Sequence, residues 1–582
     1  MEDIRSAELA GSGKDGPTAP QDAEAKRSGF YIIYDMAIEA AARGNDNNSQ
    51  EFYLEGEQLI NLARVAGGVT DDAILMLLRD CAGFRKLVHS IGVNVKAGKD
   101  TSASSVAFVL ENWGKTSKYE TGTRLRIPCP ADGTEMIMKL DEVDWSADDD
   151  VPGKIVFEFE DAGALATASV MLYLHEPYEV QEMLPESPVK VDSEDYQAMI
   201  AKSLVSPGNN KRLKAAIDKA KRGEAVTIAY IGGSITHGAG AKPLHTDCYA
   251  YKSYLAFKQM FGRPDRDHIR FIKAGVGGTP SELGVVRYDR DVLRDGTAEP
   301  DIVIVEFAVN DAGDETKGNC YESLCLKILS AANKPAVVLL FSVFVNDWNL
   351  QDRLAPIGWH YGLPMVSVKD AVVDQFRLNK EEGNVISKRQ FFYDIYHPTN
   401  TGHTVMADCL RYLFAVTDRS EEDREDIALD QPPLIGSDFA RMRLLDRANY
   451  TDIASIQAGS FTDTDTDLQM AEMDDHPLGT PQFPNNWMHA GVSGQGSFTM
   501  TITSRNLILV FKDSGRTDFG SAEIGVDGRM ARLADPHEIN WTHCNAVLLY
   551  QEKTPREHHV EIRMASGHEH QKFTILGFGY TM

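Results

Sequence analysis

Ser234 stands in Tyr230-Ile231-Gly232-Gly233-Ser234-Ile235-Thr236-His237-Gly238, at the end of the apolar run Val226–Ile231. Two glycines ahead of a serine let the backbone turn sharply and present the hydroxyl. The stretch has neither the Gly-Lys-Ser/Thr of a phosphate loop nor the third glycine of a dinucleotide loop. It also fails the strict Gly-x-Ser-x-Gly elbow, because Thr236 occupies the place of the last glycine. A serine hydroxyl becomes a nucleophile only beside a base, and Asp394-Ile395-Tyr396-His397-Pro398 offers one. Carboxylate and imidazole three residues apart on a tight turn can face the same way. Asp394 can then fix the tautomer in which His397 accepts the proton of Ser234. Acyl transfer further needs donors aimed at the oxygen that becomes negative. Gly275-Val276-Gly277-Gly278 and Phe307-Ala308-Val309-Asn310-Asp311 can supply a backbone N–H at Gly278 and the side-chain amide of Asn310, beside the N–H of Ser234. One such donor is worth ~3 kcal/mol in the transition state.

These stretches must be brought together by the elements before them. Over residues 190–420 near-continuous apolar runs alternate with helical segments: Val226–Ile231, Ile269–Ile272, Ile302–Phe307, Ala336–Phe341 and Met365–Val368. Such runs belong to strands buried on both faces of a parallel sheet, and sites in such sheets form at the carboxyl ends of the strands. The order Ser, Gly, Asn, Asp-x-x-His, set in one α/β domain over roughly residues 200–415, resembles the SGNH/GDSL hydrolase superfamily. The matching blocks are Gly232-Gly233-Ser234-Ile235-Thr236, Gly278, Val309-Asn310-Asp311 and Asp394-Ile395-Tyr396-His397-Pro398. Gly233 stands where the better-known block has Asp, a variant accepted among carbohydrate esterases. The resemblance implies a three-layer α/β/α domain with a parallel sheet. It implies Ser234 as nucleophile, His397 as general base, Asp394 as its orienting partner, and an oxyanion hole from Ser234, Gly278 and Asn310. It implies no metal and no organic cofactor.

The chain has 582 residues, too many for a single core. Residues 1–28, rich in Gly, Ala, Ser, Lys and Asp, are expected to be disordered. Residues 29–100 are expected to be helical, from Gln58–Ala63 and Ala73–Leu78 on either side of Gly67-Gly68. They carry no recognisable chemistry, and packing against a second copy of the chain in a homo-oligomer is one role for them. Short alternating runs over 101–185 and again over 435–582 predict an N-terminal and a C-terminal β-sandwich around the catalytic domain, the second like a carbohydrate-binding module in its strand pattern. There Trp487 and Trp541 are either core or platform. Asp463-Thr464-Asp465-Thr466-Asp467 invites a calcium reading, but Leu468 takes the place of the glycine an EF-hand loop needs, and a hydrated acidic turn is expected.

A formal net charge of −27 disfavours nucleic acid and anionic membrane as partners. The seven scattered cysteines form no CxxC pair, and the amino-terminal residues lack an apolar core, so a reduced, cytoplasmic protein is expected. Flanking β-domains beside an SGNH-like centre favour an acetylesterase acting on plant-type oligosaccharides derived from xylan or mannan. Trp348, Trp359 and His237 are candidate substrate contacts. His403 is expected to pack, and His558, His559, His568 and His570 to lie on the surface. The competing readings are a lipid or thioester hydrolase on the same triad and an inactive saccharide-binding protein.

Overall fold

The apolar runs of the central region assemble into one six-stranded sheet. The computed structural model describes residues 27–42, 48–98, 104–181, 183, 185–474, 479–491, 496–539 and 541–582. Its central strands are β1 (Leu204–Ser206), β2 (Val226–Gly232), β3 (Ile269–Gly275), β4 (Ile302–Glu306), β5 (Ala336–Phe341) and β6 (Met365–Ser367). They lie in the order β1-β6-β5-β4-β2-β3. All pairings from β6 to β3 are parallel, and β1 joins β6 antiparallel. The helices that matter to the site are α1 (Ser234–His237), α2 (Ser281–Asp291), α3 (Gln351–Tyr361) and α4 (Asn400–Arg419). Alternate residues of β2 enter two cores. Val226, Ile228 and Tyr230 pack with Val405, Leu410 and Leu413 of α4. Ala229 and Ile231 pack with Leu283 and Val285 of α2 and with Leu354 and Ile357 of α3. A strand covered on both faces must be apolar at every position, which is why these runs do not alternate.

Register sets the level of the site. Gly232, the last residue of β2, is the partner of Gly275 on β3 and of Glu306 on β4. The loops bearing Ser234, Gly278 and Asn310 therefore leave the sheet at one height.

The amino-terminal part differs from expectation. Residues 58–87 do hold three short helices, Gln58–Val65, Asp72–Leu77 and Cys81–Leu87, but Gly29–Glu39, Asn48–Tyr53 and Val88–Ala97 are strands. They join the strands between residues 105 and 174 in two antiparallel sheets of four and five strands. One core, with Ile33, Val93 and Val170 from the first sheet and Phe52, Phe108 and Phe157 from the second, takes up both. The N-terminal β-domain thus begins at residue 29, not 101. Gly29–Glu39 is apolar without a clear period, and such a run cannot be told from a buried helix by pattern. The apolar residues of the first helix, Leu59, Ile60, Leu62 and Ala63, are buried within this domain, so they are not available to a neighbouring copy. The disorder expected of residues 1–28 falls on residues 1–26, which lie outside the described residues.

The C-terminal part is an eight-stranded antiparallel arrangement built on two long strands, Phe498–Asp513 and His543–Met564. The two long strands pair with each other through register shifts near Ser504–Ile508. One side encloses a core around Trp487, Phe498 and Phe578. From the other side Ile508, Val510 and Leu576 enter the same core as α2. The connection from the central domain is pinned: the Glu322 carboxylate accepts the N–H groups of Leu434, Ile435 and Gly436 at 2.6, 2.5 and 2.8 Å.

Candidate active site

Ser234 opens α1, directly after Gly233, and is half-buried. Its Oγ lies 2.9 Å from His397 Nε2, and His397 Nδ1 lies 2.7 Å from Asp394 Oδ2. The turn that carries the pair is self-bonded. Asp394 Oδ1 accepts the backbone N–H groups of Tyr396 and His397, both at 2.7 Å, and Tyr393 N donates to His397 O at 2.8 Å. Pro398 then leads into Thr399, whose hydroxyl caps α4 by accepting from Gly402 N. Burial would raise the Asp394 carboxyl, but the neighbouring His397 and the hydrogen bonds it accepts outweigh that and hold it below its ordinary value. An ionised carboxylate on Nδ1 leaves Nε2 free to accept the serine proton.

The groups expected as oxyanion donors lie close to the backbone of Ser234. A Cβ placed on Gly233 would lie 2.4 Å from Asn310 Oδ1 and 2.7 Å from its Nδ2, so the Asn310 amide sits on the backbone just before Ser234. A Cβ on Gly277 would lie 3.9 Å from Ser234 Cβ. Gly278 follows at φ +71°, a conformation that favours glycine. The turn that bears Ser234 needs close backbone approach, since a Cβ on Gly275 would meet His237 N at 2.0 Å.

Residues 230–405 match the GDSL-like lipase/acylhydrolase family. Over these residues the central domain is similar to GDSL-like acylhydrolases. Among solved structures, the chain is similar to a two-domain esterase active on acetylated mannans. The identity is 27%, the match covers 66% of this chain and 99% of that one, and the TM-score is 0.57. The same esterase co-crystallised with mannopentaose gives 28% identity, coverage of 66% and 98%, and a TM-score of 0.56. No curated protein matches the chain. The protein is a carboxylic ester hydrolase of SGNH type resembling carbohydrate esterases, with additional β-rich domains around its acylhydrolase domain.

The three expected substrate contacts of this esterase have different fates. Trp348 is half-buried and stacks on Phe344, with ring centroids 5.8 Å apart. Phe344 meets Tyr396 edge-on at 5.0 Å, and Tyr396 lies 6.0 Å from the ring of His397. Trp348 therefore belongs to an aromatic cluster beside the turn of Asp394 and His397. Trp359 does not: it is exposed in the last turn of α3, which has run back from the site edge of the sheet towards the start of β6. His237 is engaged elsewhere, its Nε2 accepting the backbone N–H of Glu472 at 2.9 Å. That contact ties α1 to the C-terminal domain.

Three residues that no local pattern marks, Gln469, His543 and Glu306, also lie near Ser234, together with Trp541, for which the sequence leaves core and platform both open. From the C-terminal domain, Gln469 Nε2 donates to Gly277 O at 2.8 Å, and Trp541 and His543 abut the Gly277–Gly278 backbone. Trp541 is 44% exposed, which makes it surface where Trp487 is core. Burial pushes His543 down to about 4, opposed by the Gly278 backbone. From beneath, the buried Glu306 accepts from Thr236 Oγ1 at 3.1 Å, and burial raises its carboxyl to about 7. The N-terminal domain braces the other side, with Phe52 stacked on Tyr393 at 5.2 Å and Arg389 over the Tyr34 ring at 4.0 Å.

Other expectations can be placed as well. His403 is fully buried, bonded to Tyr249 N and Ala239 O and stacked on Tyr249. Burial lowers it to about 3, so it packs as a neutral ring. His558 is not a surface residue. It is buried against Tyr550, 3.9 Å between centroids, because residues 558 and 559 point to opposite sides of their strand; His559 is exposed. Asp465 is likewise buried rather than hydrated: the ammonium of Lys512 lies 3.1 Å from its carboxylate and 3.2 Å from that of Asp467. A lysine stands there in the role a cation would take. Among the described residues no cluster of three or more His, Cys, Asp or Glu side chains is arranged to hold a metal ion. None of the described helices is long and apolar enough to cross a membrane.

Proposed function

We propose that this esterase removes O-acetyl groups from oligosaccharides of the mannan or xylan type through an acyl-enzyme on Ser234. The observation that carries the reading is the unbroken chain of hydrogen bonds from Ser234 Oγ through His397 to Asp394, at 2.9 and 2.7 Å. In the first half-reaction Ser234 Oγ attacks the acetyl carbonyl carbon while His397 Nε2 takes its proton. The negative oxygen of the tetrahedral intermediate is received by the N–H groups of Ser234 and Gly278 and by the Asn310 amide. Collapse expels the sugar hydroxyl, which leaves with the proton from His397. In the second half-reaction His397 takes a proton from water, the water oxygen attacks acetyl-Ser234, and acetate departs as the proton returns to the serine.

The saccharide side of the reading is supported by aromatic rings at both ends of the reactive edge. Trp541 stands over the loop after β3, and Phe344, Trp348 and Tyr396 lie by the loop after β5, with Ser234 between them. Aromatic faces with a polar tip suit the apolar faces of sugar rings. The likeness to an esterase active on acetylated mannans points the same way. We also propose a cytoplasmic setting, where the seven buried free thiols stay reduced.

The test is acetate release from acetylated mannan and xylan oligosaccharides, alongside nitrophenyl esters of short and long acyl chains. Acetyl substrates should be preferred, and a preference for long chains would overturn the saccharide reading. Ser234→Ala should lower the rate by several orders of magnitude. Near-normal activity in that variant would remove Ser234 from its role.

A further inference from the structure

The peptide between Gly277 and Gly278 carries the N–H that the proposed oxyanion hole needs, and the C-terminal domain holds its other end. Gln469 Nε2 donates to Gly277 O at 2.8 Å, while Gln469 Oε1 accepts the backbone N–H of Cys544 at 2.9 Å. The Gly277–Gly278 bond is trans. In a trans peptide the carbonyl and the N–H point in opposite directions, so fixing Gly277 O fixes the direction of Gly278 N–H. A glycine on each side of that peptide gives it little resistance to flipping on its own, and Gly278 already sits at φ +71°. Gln469 is buried at 7% exposure, and His543 closes against Gly278 from the strand that bears Cys544. The anchor is firm: Leu468 and Cys544, neighbours of these groups, share one hydrophobic core with Leu283, Val285 and Val286 of α2.

We propose that Gln469 is a positioning residue that aims the Gly278 N–H at the ester oxyanion. The C-terminal domain is then part of the catalytic apparatus and not a detachable binding module. This rests on the reading of Ser234 and Gly278 given above. Gln469 touches no substrate atom; it acts through the Gly277 carbonyl.

The experiment uses the full chain, p-nitrophenyl acetate and a boronic acid inhibitor, whose tetrahedral adduct with Ser234 places an oxygen in the oxyanion position. Gln469→Glu keeps the acceptor for Cys544 N but loses the donor to Gly277 O. Gln469→Asn keeps the chemistry but is too short to span both partners. Both should lower kcat by about 10–100-fold, leave KM within about threefold, and weaken the boronic acid by a factor similar to the loss in kcat. Arg532→Gln, which breaks the ion pair with Glu315 elsewhere at the same domain boundary, should lower thermal stability without that loss. Wild-type kcat in both Gln469 variants, a loss confined to KM, or an equal kcat loss in Arg532→Gln would overturn the proposal. Ser234→Ala separates the two levels. If it stays active, the reading of the site fails. If it is inactive while the Gln469 variants turn over normally, only the positioning role fails.

Discussion

Gly233 has no room for a side chain, because the Asn310 amide already fills the space a Cβ would take, 2.4 Å from its Oδ1. A methyl group there must displace Asn310, and with it one of the three proposed oxyanion donors. Gly233→Ala is therefore expected to lower kcat by about 10–100-fold with KM nearly unchanged, somewhat less than complete removal of a donor. The cause can be isolated by a cycle with Asn310→Ala. If Gly233 acts only by making space for the amide, the double variant should lose little more than Asn310→Ala alone. Fully additive losses in nitrophenyl acetate kinetics would place the effect of Gly233 elsewhere, in the backbone of the nucleophile turn.

Helix α2 links the strands that end at the site. Arg287, on its buried face and 0% exposed, donates to Ala274 O at 2.7 Å, to Gly232 O at 2.9 Å and to Asp291 Oδ2 at 3.0 Å. It thereby ties the carboxyl ends of β2 and β3, from which the loops of Ser234 and Gly278 depart. Arg287→Met would leave Asp291 buried with only Arg290 and would take the guanidinium donor from Ala274 O and Gly232 O, although Gly232 O keeps the N–H of Val276 at 3.1 Å. Breaking such a buried pair typically costs ~3–5 kcal/mol. The urea midpoint should fall accordingly with an unchanged m-value, and a shift below ~1 kcal/mol would mean that the carbonyls find other donors. None of this was legible from α2 itself, where Ser281–Asp291 reads only as a polar helix. What was legible follows from burial. The runs of β4 and β5 and most of β2 are covered on two faces and are apolar for that reason, whereas β3, at the edge of the sheet, admits the exposed Arg270; the turn of Asp394 and His397 carries its own pair three residues apart. What was not legible arises between distant segments. The contact of Gln469 with Gly277 spans 192 residues, and no local pattern marks either end. Trp359 misled for the same reason: residue type suggested a sugar contact, while the direction of α3 carries it away from the site.

Three domains meet at one centre, and burying so many polar groups between and within them gives the whole molecule a pH signature. Burial raises the carboxyls of Glu135, Glu306 and Asp311 to about 7, and burial with the neighbouring Asp314 raises Glu282 to about 9. Each binds a proton in the folded state that the unfolded chain has already lost, so each makes stability fall as pH rises from its unfolded value to its folded one. The neutral rings of His403 and His543, lowered to about 3 and about 4, act in the opposite sense. They cost stability as pH falls below the ordinary histidine value. Between pH ~4.5 and ~6.5 four carboxyls oppose two histidines, so the net slope is already downward with rising pH. Above pH ~7 Glu282 alone of these groups continues it, at ~1.4 kcal/mol per unit. Self-repulsion of a chain with net charge −27 adds to the same trend. The melting temperature is therefore expected to be highest at the acid end of this range, at pH ~4.5, and to decline towards pH 9. In Glu282→Gln, which keeps a donor for Asp314 but cannot ionise, the decline above pH 7 should flatten. Calorimetry across pH 4.5–9 checks both. A melting temperature that climbs from pH 5 to pH 8 would mean that these carboxyls ionise at ordinary values and that their sites are wetter than their burial indicates.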